Sequence, residues 1–391
     1  MCAKLLGIEH SNHSNEDLWS KNVFNSTFPV AFANYLWKCD PPQKVKYVTT
    51  DANFNIVIDE IGVDELFNCN GLTAEELYFS FEDVYTPYEK FLEGGFGSTK
   101  RLRRAKKIDL VVKQFEEDKA PEDYKSLRAL EIKMTVVPDN STINTPDNPG
   151  SEIVIRPTTT LYAALGLLDQ CKFSREFANI KETLHDVWIT LSNENGWEHN
   201  ATLTGNSRQM KAAIAQICRK YHKKQIPLLL QPIWKTNAQD HELDKEHALD
   251  LIAWSNLAYV KLFLTKVPDT QTDDPTACRA ARCLSKFIQY LYIGSGSSDI
   301  DRRINLGAIK VPEGYQTDKE LSVNGAGTRE FITARKKRGG KNDTYYKPRF
   351  PRKILHSIIL NGGEKRLKPE RRFDQSIYIM EKTGLYNSGN F

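Results

Sequence analysis

The chain has 391 residues, of which 40% are hydrophobic, and a formal net charge of +4. A chain of this length can bury a sizeable core, as one large domain or two of ordinary size. It contains no run of eighteen apolar residues and turns polar soon after its first residues, which argues against a spanning helix or a signal peptide, so we expect a cytoplasmic protein with no membrane partner.

The first predicted elements are a helix and a β-hairpin. Residues 26–40 are typical of a helix, because Ser26 or Thr27 can cap its first turn and two prolines follow its end. Residues 45–61 alternate apolar and polar side chains in two runs around a polar turn, which predicts the hairpin.

The next segment has apolar residues at helical spacing. The side chains of Leu77, Phe81, Val84 and Leu92 would share one face, so residues 73–92 predict a helix, which Pro87 would kink. A basic run follows at 100–107, then a short strand at 108–115, a hydrophilic loop, and a second strand at 128–134.

The remaining elements complete an α/β pattern. Residues 151–159 predict a strand and 160–173 a helix. In the second half, we expect helices over 207–224, 246–264 and 275–293 and a buried strand over 226–234, whose apolar run is too short for a typical core helix. From residue 294 onward the chain is rich in glycine and basic residues without a strong period.

An acidic residue in the strand "RALEIKM" is unusual, because its neighbours are apolar. Side chains two apart on a strand point to the same face, so Glu131 and Lys133 would form a charged face opposite a buried apolar one. Asp109 lies on the preceding predicted strand, and a hairpin could bring it beside them. Two carboxylates suit Mg²⁺, and a lysine could orient or deprotonate a water, which indicates phosphodiester hydrolysis. The alternative is a salt bridge on the surface of a sheet.

The charge of the chain is unevenly distributed. Residues 301–391 carry 20 Lys and Arg but 10 Asp and Glu, a balance of +10, whereas the first 300 residues carry 34 against 40, a balance of −6. Concentrated positive charge attracts polyanions such as nucleic acid, although a solubilising surface or a flexible tail has the same composition. The basic candidates for DNA contacts are Arg101, Arg103, Arg104, Lys106, Arg156, Arg335, Lys336, Lys337 and Arg338.

Asn140 and Ser141, in the "PDNST" turn after the charged strand, are polar candidates for DNA contacts. An ordinary Asx turn would explain them equally well. Arg156 could likewise pair with a carboxylate instead of a phosphate.

The combined motifs resemble a known family. Asp109 followed by "LEIK" is similar to the PD-(D/E)XK nuclease signature, with "KID" where the signature has Pro-Asp. The stretches "LLGIEHSNHSNEDLWSKNVFNSTFPVAFANYL" and "LEIKMTVVPDNST…SEIVIRPTTTLY" resemble type II restriction endonucleases of the HindVP group. The resemblance runs over most of residues 5–165 and is weaker beyond them.

The resemblance implies a fold, an activity and a set of residues. The fold would be a restriction-endonuclease-like α/β core with a central mixed β-sheet flanked by helices, plus additional helices and a basic C-terminal region. We expect residues 1–300 to form this core and residues 301–391 to contact DNA, within the same domain or outside it. Asp109 and Glu131 would bind Mg²⁺ and Lys133 would position the attacking water. An acid from the preceding helix, Glu82 or Glu89, would add a ligand; we select Glu82, and a solvated helix face is the alternative.

The implied reaction is Mg²⁺-dependent cleavage of double-stranded DNA at a short palindrome, leaving 5′-phosphate and 3′-hydroxyl ends; the group is associated with the site GRCGYC. A palindrome suits a homodimer, and a cognate DNA methyltransferase would share the site without needing to bind the enzyme. Two alternatives stay open: a repair or structure-specific Mg²⁺ nuclease of the same superfamily, and a non-catalytic DNA-binding protein.

Other sites are not indicated by the sequence. The seven cysteines include no CxxC pair, and the histidines complete no zinc set, so we expect reduced thiols. No P-loop, Rossmann glycine pattern or GxSxG motif occurs, which disfavours ATP-driven, dinucleotide-dependent and serine-hydrolase functions.

Overall fold

The computed structural model describes residues 4–5, 8–9, 30, 33, 37, 41–42, 44–73, 76–93, 107–132, 152–193, 195–232, 251–310 and 321–324. The structural statements below refer to these residues. The helix predicted over 26–40 lies outside them except at Val30, Ala33 and Trp37.

A mixed seven-stranded sheet forms the centre of the molecule, in the order β4-β3-β10-β9-β7-β6-β5. β3 is parallel to β10 and β7 is parallel to β9, whereas the other neighbours are antiparallel. Two small antiparallel pairs, β1 with β2 and β8 with β11, accompany this sheet. The strands are β1 Lys4–Leu5, β2 Ile8–Glu9, β3 Lys44–Thr50, β4 Ile56–Gly62, β5 Leu77–Val84, β6 Lys107–Gln114, β7 Ser126–Ile132, β8 Glu152–Ile155, β9 Pro227–Pro232, β10 Leu251–Ser255 and β11 Leu321–Asn324.

Helices flank the sheet and supply most of the core. α3 is buried along most of its length and packs against α7 and α8. Leu165, Phe263 and Phe287 are fully buried there, and each such side chain contributes about 1.5–3 kcal/mol of burial free energy. The helices are α1 Val63–Phe67, α2 Thr86–Glu89, α3 Pro157–Gln170, α4 Ser174–Asn193, α5 Asn200–Gly205, α6 Ser207–Lys220, α7 Asn256–Leu264 and α8 Pro275–Gly294, with 3-10 turns at Pro121–Asp123 and His222–Lys224.

The predicted hairpin over 45–61 is confirmed by β3 and β4, which pair from Lys44↔Gly62 to Thr50↔Ile56. Its turn is organised by Asp51, whose Oδ1 accepts hydrogen bonds from the backbone N–H groups of Asn53 (2.9 Å) and Asn55 (2.8 Å). These bonds hold the pKa of the Asp51 carboxyl below its usual value.

The helix predicted over 73–92 is wrong. Residues 77–84 form strand β5, and only Thr86–Glu89 are helical, with Pro87 in the first turn instead of at a kink. The reason is burial on both faces: Leu77, Tyr78 and Phe79 are each at most 9% exposed. A strand without an exposed face loses its alternation, and its apolar residues can then fit a helical spacing by chance.

The helix predicted over 246–264 is half wrong for the same reason. β10 is buried at all five positions, and the helix begins only at Asn256, after Ser255 accepts a capping hydrogen bond from the backbone N–H of Ala258 (3.0 Å). α4 was not predicted from the sequence, although Phe177, Ile180 and Leu184 mark its buried face at helical spacing.

The other helices and strands predicted within the described residues are confirmed. α3, α6 and α8 and strands β6, β7, β8 and β9 occur where the sequence placed them, within a few residues at their ends. The α/β class with a central mixed sheet flanked by helices is therefore confirmed. Of residues 301–391 only 301–310 and 321–324 are described, so the proposed division at residue 300 stays a prediction. The described chain contains no helix that is both long and apolar enough to cross a membrane.

Candidate active site

β6 and β7 bring the two predicted carboxylates together. The strands are antiparallel neighbours, and their pairing includes Val111↔Ala129 and Leu110↔Leu130. One more step in this register places Glu131 opposite Asp109. The Oδ2 atom of Asp109 accepts a hydrogen bond from the backbone N–H of Ile132 at 2.9 Å, which fixes this carboxylate beside Glu131.

The strand around Glu131 is more buried than expected. We predicted one apolar and one charged face, but Leu130, Glu131 and Ile132 are 0%, 5% and 7% exposed. β7 is an interior strand, antiparallel to β6 and parallel to β9, with layers covering both faces. A carboxylate as deeply buried as that of Glu131 requires hydrogen bonds or an opposite charge. The neighbouring Asp109 is only half-buried.

Two buried tyrosines lie on the helical side of the carboxylates. Tyr162 on α3 is 2% exposed, and its hydroxyl donates a 2.6 Å hydrogen bond to the Lys107 carbonyl at the start of β6. Burial, followed by the negative charges of Glu131 and Asp109, holds the pKa of Tyr162 well above its usual value. Tyr162 therefore lies within electrostatic reach of both carboxylates and stays protonated.

The second tyrosine, Tyr259 on α7, is fully buried. Burial, then the Cys283 thiol and, to a smaller extent, Glu131, hold its pKa well above its usual value. The hydroxyls of Thr159 and Thr160 lie near enough to affect it, but within the described chain neither the Tyr259 hydroxyl nor Thr159 Oγ1 is in hydrogen-bond geometry with any group. None of these hydroxyl residues was predicted from the sequence, because tyrosine and threonine in an apolar helix give no signal separate from core packing.

Glu82 lies on β5 and not on a helix. It falls between Phe81 and Asp83, which pair with Leu110 and Ile108, so the backbone of Glu82 lies opposite that of Asp109. The backbones of three acidic residues therefore lie at corresponding positions on the neighbouring strands β5, β6 and β7. These residues are Glu82, Asp109 and Glu131. The expectation that Glu82 sits on a helix is corrected, while its role as a ligand stays a prediction.

Several predicted site residues lie outside the described chain. Arg156, the described DNA-contact candidate, is exposed and caps α3, where its carbonyl accepts hydrogen bonds from the Thr160 backbone N–H (2.9 Å) and Oγ1 (3.0 Å). The backbone of α3 thus presents this guanidinium at a surface. The residues outside are Arg101, Arg103, Arg104, Lys106, Lys133, Asn140, Ser141, Arg335, Lys336, Lys337 and Arg338.

The carboxylates fit a hard divalent cation. The Oδ2 atom of Asp109 accepts a hydrogen bond from a backbone amide, and this bond orients the second oxygen of the carboxylate. Glu131 is so deeply buried that a nearby positive charge would stabilise its ionised form. Carboxylate oxygens are the ligands that Mg²⁺ prefers. Within the described chain no group of three or more His, Cys, Asp or Glu side chains is arranged to hold a metal ion.

Comparisons with known proteins identify the family of the chain. Residues 19–386 match the family model described as HindVP restriction endonuclease. The chain is 31% identical over 387 residues to the type II restriction enzyme HgiDI of Herpetosiphon aurantiacus, covering 98% of this chain and 96% of that protein. It is 25% identical over 383 residues to the probable type II restriction enzyme HindVP of Haemophilus influenzae, covering 96% and 92%. No solved structure gives a significant match. The similarity spans both the carboxylate-bearing strands and the basic C-terminal region.

Proposed function

The chain belongs to the HindVP restriction endonuclease family, and from this premise we propose that it hydrolyses both strands of duplex DNA at a short palindromic site with Mg²⁺ as cofactor. The enzyme class, type II restriction endonuclease, and the binding of double-stranded DNA follow from the family. The observation that supports the Mg²⁺ requirement is the convergence of Asp109 and Glu131 on adjacent strands.

The residues of the proposed site have two tasks, which are to bind the cation and to position the attacking water. Asp109 and Glu131 would bind the cation. Glu82, at the corresponding position on β5, is the proposed third ligand. When bound, Mg²⁺ would neutralise charge on the scissile phosphate and favour ionisation of water. Lys133, two residues after Glu131, would hold the attacking water in line with the phosphorus. The expected products carry 5′-phosphate and 3′-hydroxyl ends.

DNA would be held by positive charge on both sides of these strands. The basic run before β6 and Arg156 would neutralise phosphates near the scissile bond, and Asn140 and Ser141 would contact the DNA or support the site. Arginines among the basic residues would read guanines in a G/C-containing sequence, and GRCGYC is the site we propose to test first. Residues 301–391 would thus add DNA contacts to those made by residues 1–300, and phosphodiester hydrolysis would take place within residues 1–300.

We further propose a homodimer, because a palindrome presents two equivalent half-sites to a two-fold symmetric protein. Its cognate methyltransferase would modify the same sequence without binding this chain.

Digestion of a plasmid of known sequence tests the proposal. The protein is incubated with the plasmid in Mg²⁺ or in EDTA, and the fragment ends are sequenced. We expect discrete fragments in Mg²⁺ alone, with every end in one palindromic sequence. Ends at unrelated sequences, or cleavage that depends on a nick, flap or lesion, would indicate a repair or structure-specific nuclease. Sequence-specific binding without cleavage in Mg²⁺ or Mn²⁺ would indicate a non-catalytic DNA-binding protein.

A further inference from the structure

β6 pairs differently with its two neighbours at its N-terminal end. Its pairing with β5 continues to Lys107↔Val84, but its pairing with β7 ends at Leu110↔Leu130. Within the described chain, the paired region of β6 and β7 therefore stops one step before Asp109 and Glu131, and the stretch 107–109 lies outside it. This is the stretch that carries Asp109, so its position relative to Glu131 depends on more than the β6–β7 ladder.

Among the bonds of the described chain, a side-chain hydrogen bond ties this stretch to each of two other elements. Asp109 Oδ2 accepts the backbone N–H of Ile132, at 2.9 Å, and ties β6 to β7. The Tyr162 hydroxyl donates to the Lys107 carbonyl, at 2.6 Å, and ties β6 to helix α3. The two bonds lie at residues two apart on β6 and connect it to different elements.

α3 is a rigid support for the second bond. Tyr162 is 2% exposed, and its ring stacks on that of Tyr88 with 6.2 Å between the centroids. The helix is buried at every position from Thr159 to Leu168. A phenol held in this way can fix a strand to within a hydrogen-bond length.

We propose that Tyr162 is a positioning residue for the catalytic carboxylates, and that its hydroxyl holds the start of β6 where Asp109 and Glu131 can bind the same cation. This inference rests on the proposed function. Two carboxylates at one site repel each other before a cation binds, so their separation has to be maintained by surrounding bonds. The raised pKa of Tyr162 is consistent with the role, because the hydroxyl remains a donor across the pH range of any assay.

The test removes one oxygen atom. Tyr162→Phe keeps the ring that stacks on Tyr88 and removes the hydroxyl that donates to the Lys107 carbonyl. The matched control is Tyr221→Phe: Tyr221 is also buried and also donates to a backbone carbonyl, that of Glu176 at 3.1 Å, but it lies on the turn after α6. Single-turnover cleavage is measured against Mg²⁺ concentration for both variants and the wild type, with DNA binding measured in Ca²⁺.

We expect Tyr162→Phe to need about 10-fold more Mg²⁺ for half its maximal rate, the lower end of the effect of removing a bond that orients metal ligands. DNA binding in Ca²⁺ and the Mg²⁺ requirement of Tyr221→Phe should stay within twofold of the wild type. A purely structural hydroxyl would lower the melting temperature without moving the Mg²⁺ requirement. Equal Mg²⁺ requirements for the two variants would overturn the inference.

Two further outcomes are distinguishable. If the wild type does not cleave DNA in Mg²⁺ or Mn²⁺, the proposed function fails, and the inference with it. If Tyr162→Phe is unfolded at the assay temperature, Tyr162→His, whose ring N–H can still donate, takes its place. A Mg²⁺ requirement for Tyr162→His within threefold of the wild type supports the inference, and a larger increase contradicts it.

Discussion

Glu131 is a carboxylate in a place almost closed to water, at 5% exposure. Moving an ionised carboxyl group into such a place costs several kcal/mol unless an opposite charge or hydrogen bonds compensate. A cation that Glu131 and Asp109 bind together would supply that compensation. The ammonium group of Lys133 would add to it. The burial therefore gives a physical reason for an acid in an otherwise apolar strand.

Lys133 is the residue whose removal should separate cleavage from DNA binding. We expect Lys133→Ala to lower the single-turnover cleavage rate by about 100-fold or more, because a positioned group that orients or deprotonates the attacking water contributes that much. Affinity for cognate DNA in Ca²⁺ should fall by less than about tenfold, since one cation of many is lost.

Lys125→Ala is the matched control for this substitution. Lys125 also follows an acid by two residues, Asp123, but it is exposed in the loop before β7. Wild-type cleavage by Lys125→Ala and loss of cleavage by Lys133→Ala would support the assignment. Unchanged cleavage by Lys133→Ala would exclude it.

Among the elements, the hairpin of β6 and β7 was predicted to within two residues at its ends. Both strands are flanked by turn residues that mark them as strands, so the sequence correctly placed Asp109 and Glu131 on neighbouring antiparallel strands. β5 and β10 were mistaken for helices because both are buried on two faces. Burial by partners distant in sequence leaves no local period, and this is why the position of Glu82 was misjudged.

The helical side of the site could not be predicted. Tyr162 approaches β6 because α3 packs across the sheet, and this packing depends on contacts with α7 and α8 that lie about 100 residues further along the chain. A phenol in an apolar helix is ordinarily a core residue, so only the fold distinguishes its hydrogen bond to Lys107 from simple burial.

β5 is joined to β6 by a largely buried ion pair. Lys113 Nζ lies 2.8 Å from Asp83 Oδ2, with the two side chains 5% and 25% exposed, and Ser80 donates a second hydrogen bond to the same oxygen. We expect Asp83→Asn to lower the free energy of unfolding by about 3 kcal/mol, because it leaves the buried ammonium group without its counter-charge. Urea denaturation at pH 7 measures the loss.

The same pair predicts a pH dependence. Burial raises the pKa of Asp83, but the hydrogen bonds from Lys113, Ser80 and the Val84 backbone N–H, and the Lys113 charge, outweigh it and hold the pKa below its usual value of 3.8. Its stabilisation is therefore present above about pH 4 and is lost as the pH falls through the lowered pKa. As the pH is lowered from 5 to 3, the difference in the free energy of unfolding between the wild type and Asp83→Asn should become smaller.

An exposed pair supplies the control. Lys46 Nζ lies 3.5 Å from Glu60 Oε1 on β3 and β4, with the side chains 38% and 52% exposed. Glu60→Gln should cost less than about 1 kcal/mol. Equal losses for Asp83→Asn and Glu60→Gln would show that burial does not strengthen the pair on β5 and β6.

For the whole molecule, the uneven charge predicts where DNA affinity comes from. Replacing Arg335, Lys336, Lys337 and Arg338 together by alanine should weaken DNA binding. It should also reduce the slope of log affinity against log salt by up to about 4, because each phosphate contact contributes roughly 0.9. Fluorescence anisotropy with a cognate duplex in Ca²⁺ at several salt concentrations measures both quantities.

The control removes the same charge from another surface. Arg208, Arg219, Lys220 and Lys223 are exposed on α6 and the following turn and are not proposed to contact DNA. Their combined replacement should leave the slope within about 1 of the wild-type value. A tail variant with a wild-type slope would place the DNA contacts elsewhere.

The central claim is that Asp109 and Glu131 together form a metal site. Its most direct test compares the single-turnover cleavage rates of three conservative amide substitutions, with Mg²⁺ and cognate duplex. Asp109→Asn keeps an oxygen that can accept the Ile132 amide, and Glu131→Gln keeps the shape of the buried side chain. Asp51→Asn changes a carboxyl group that accepts hydrogen bonds within the β3–β4 turn. We expect the first two to cleave at least about 100-fold more slowly than the wild type while binding the duplex in Ca²⁺, and Asp51→Asn to cleave normally. Cleavage at the wild-type rate by Asp109→Asn or Glu131→Gln would contradict a metal site formed by these two carboxylates.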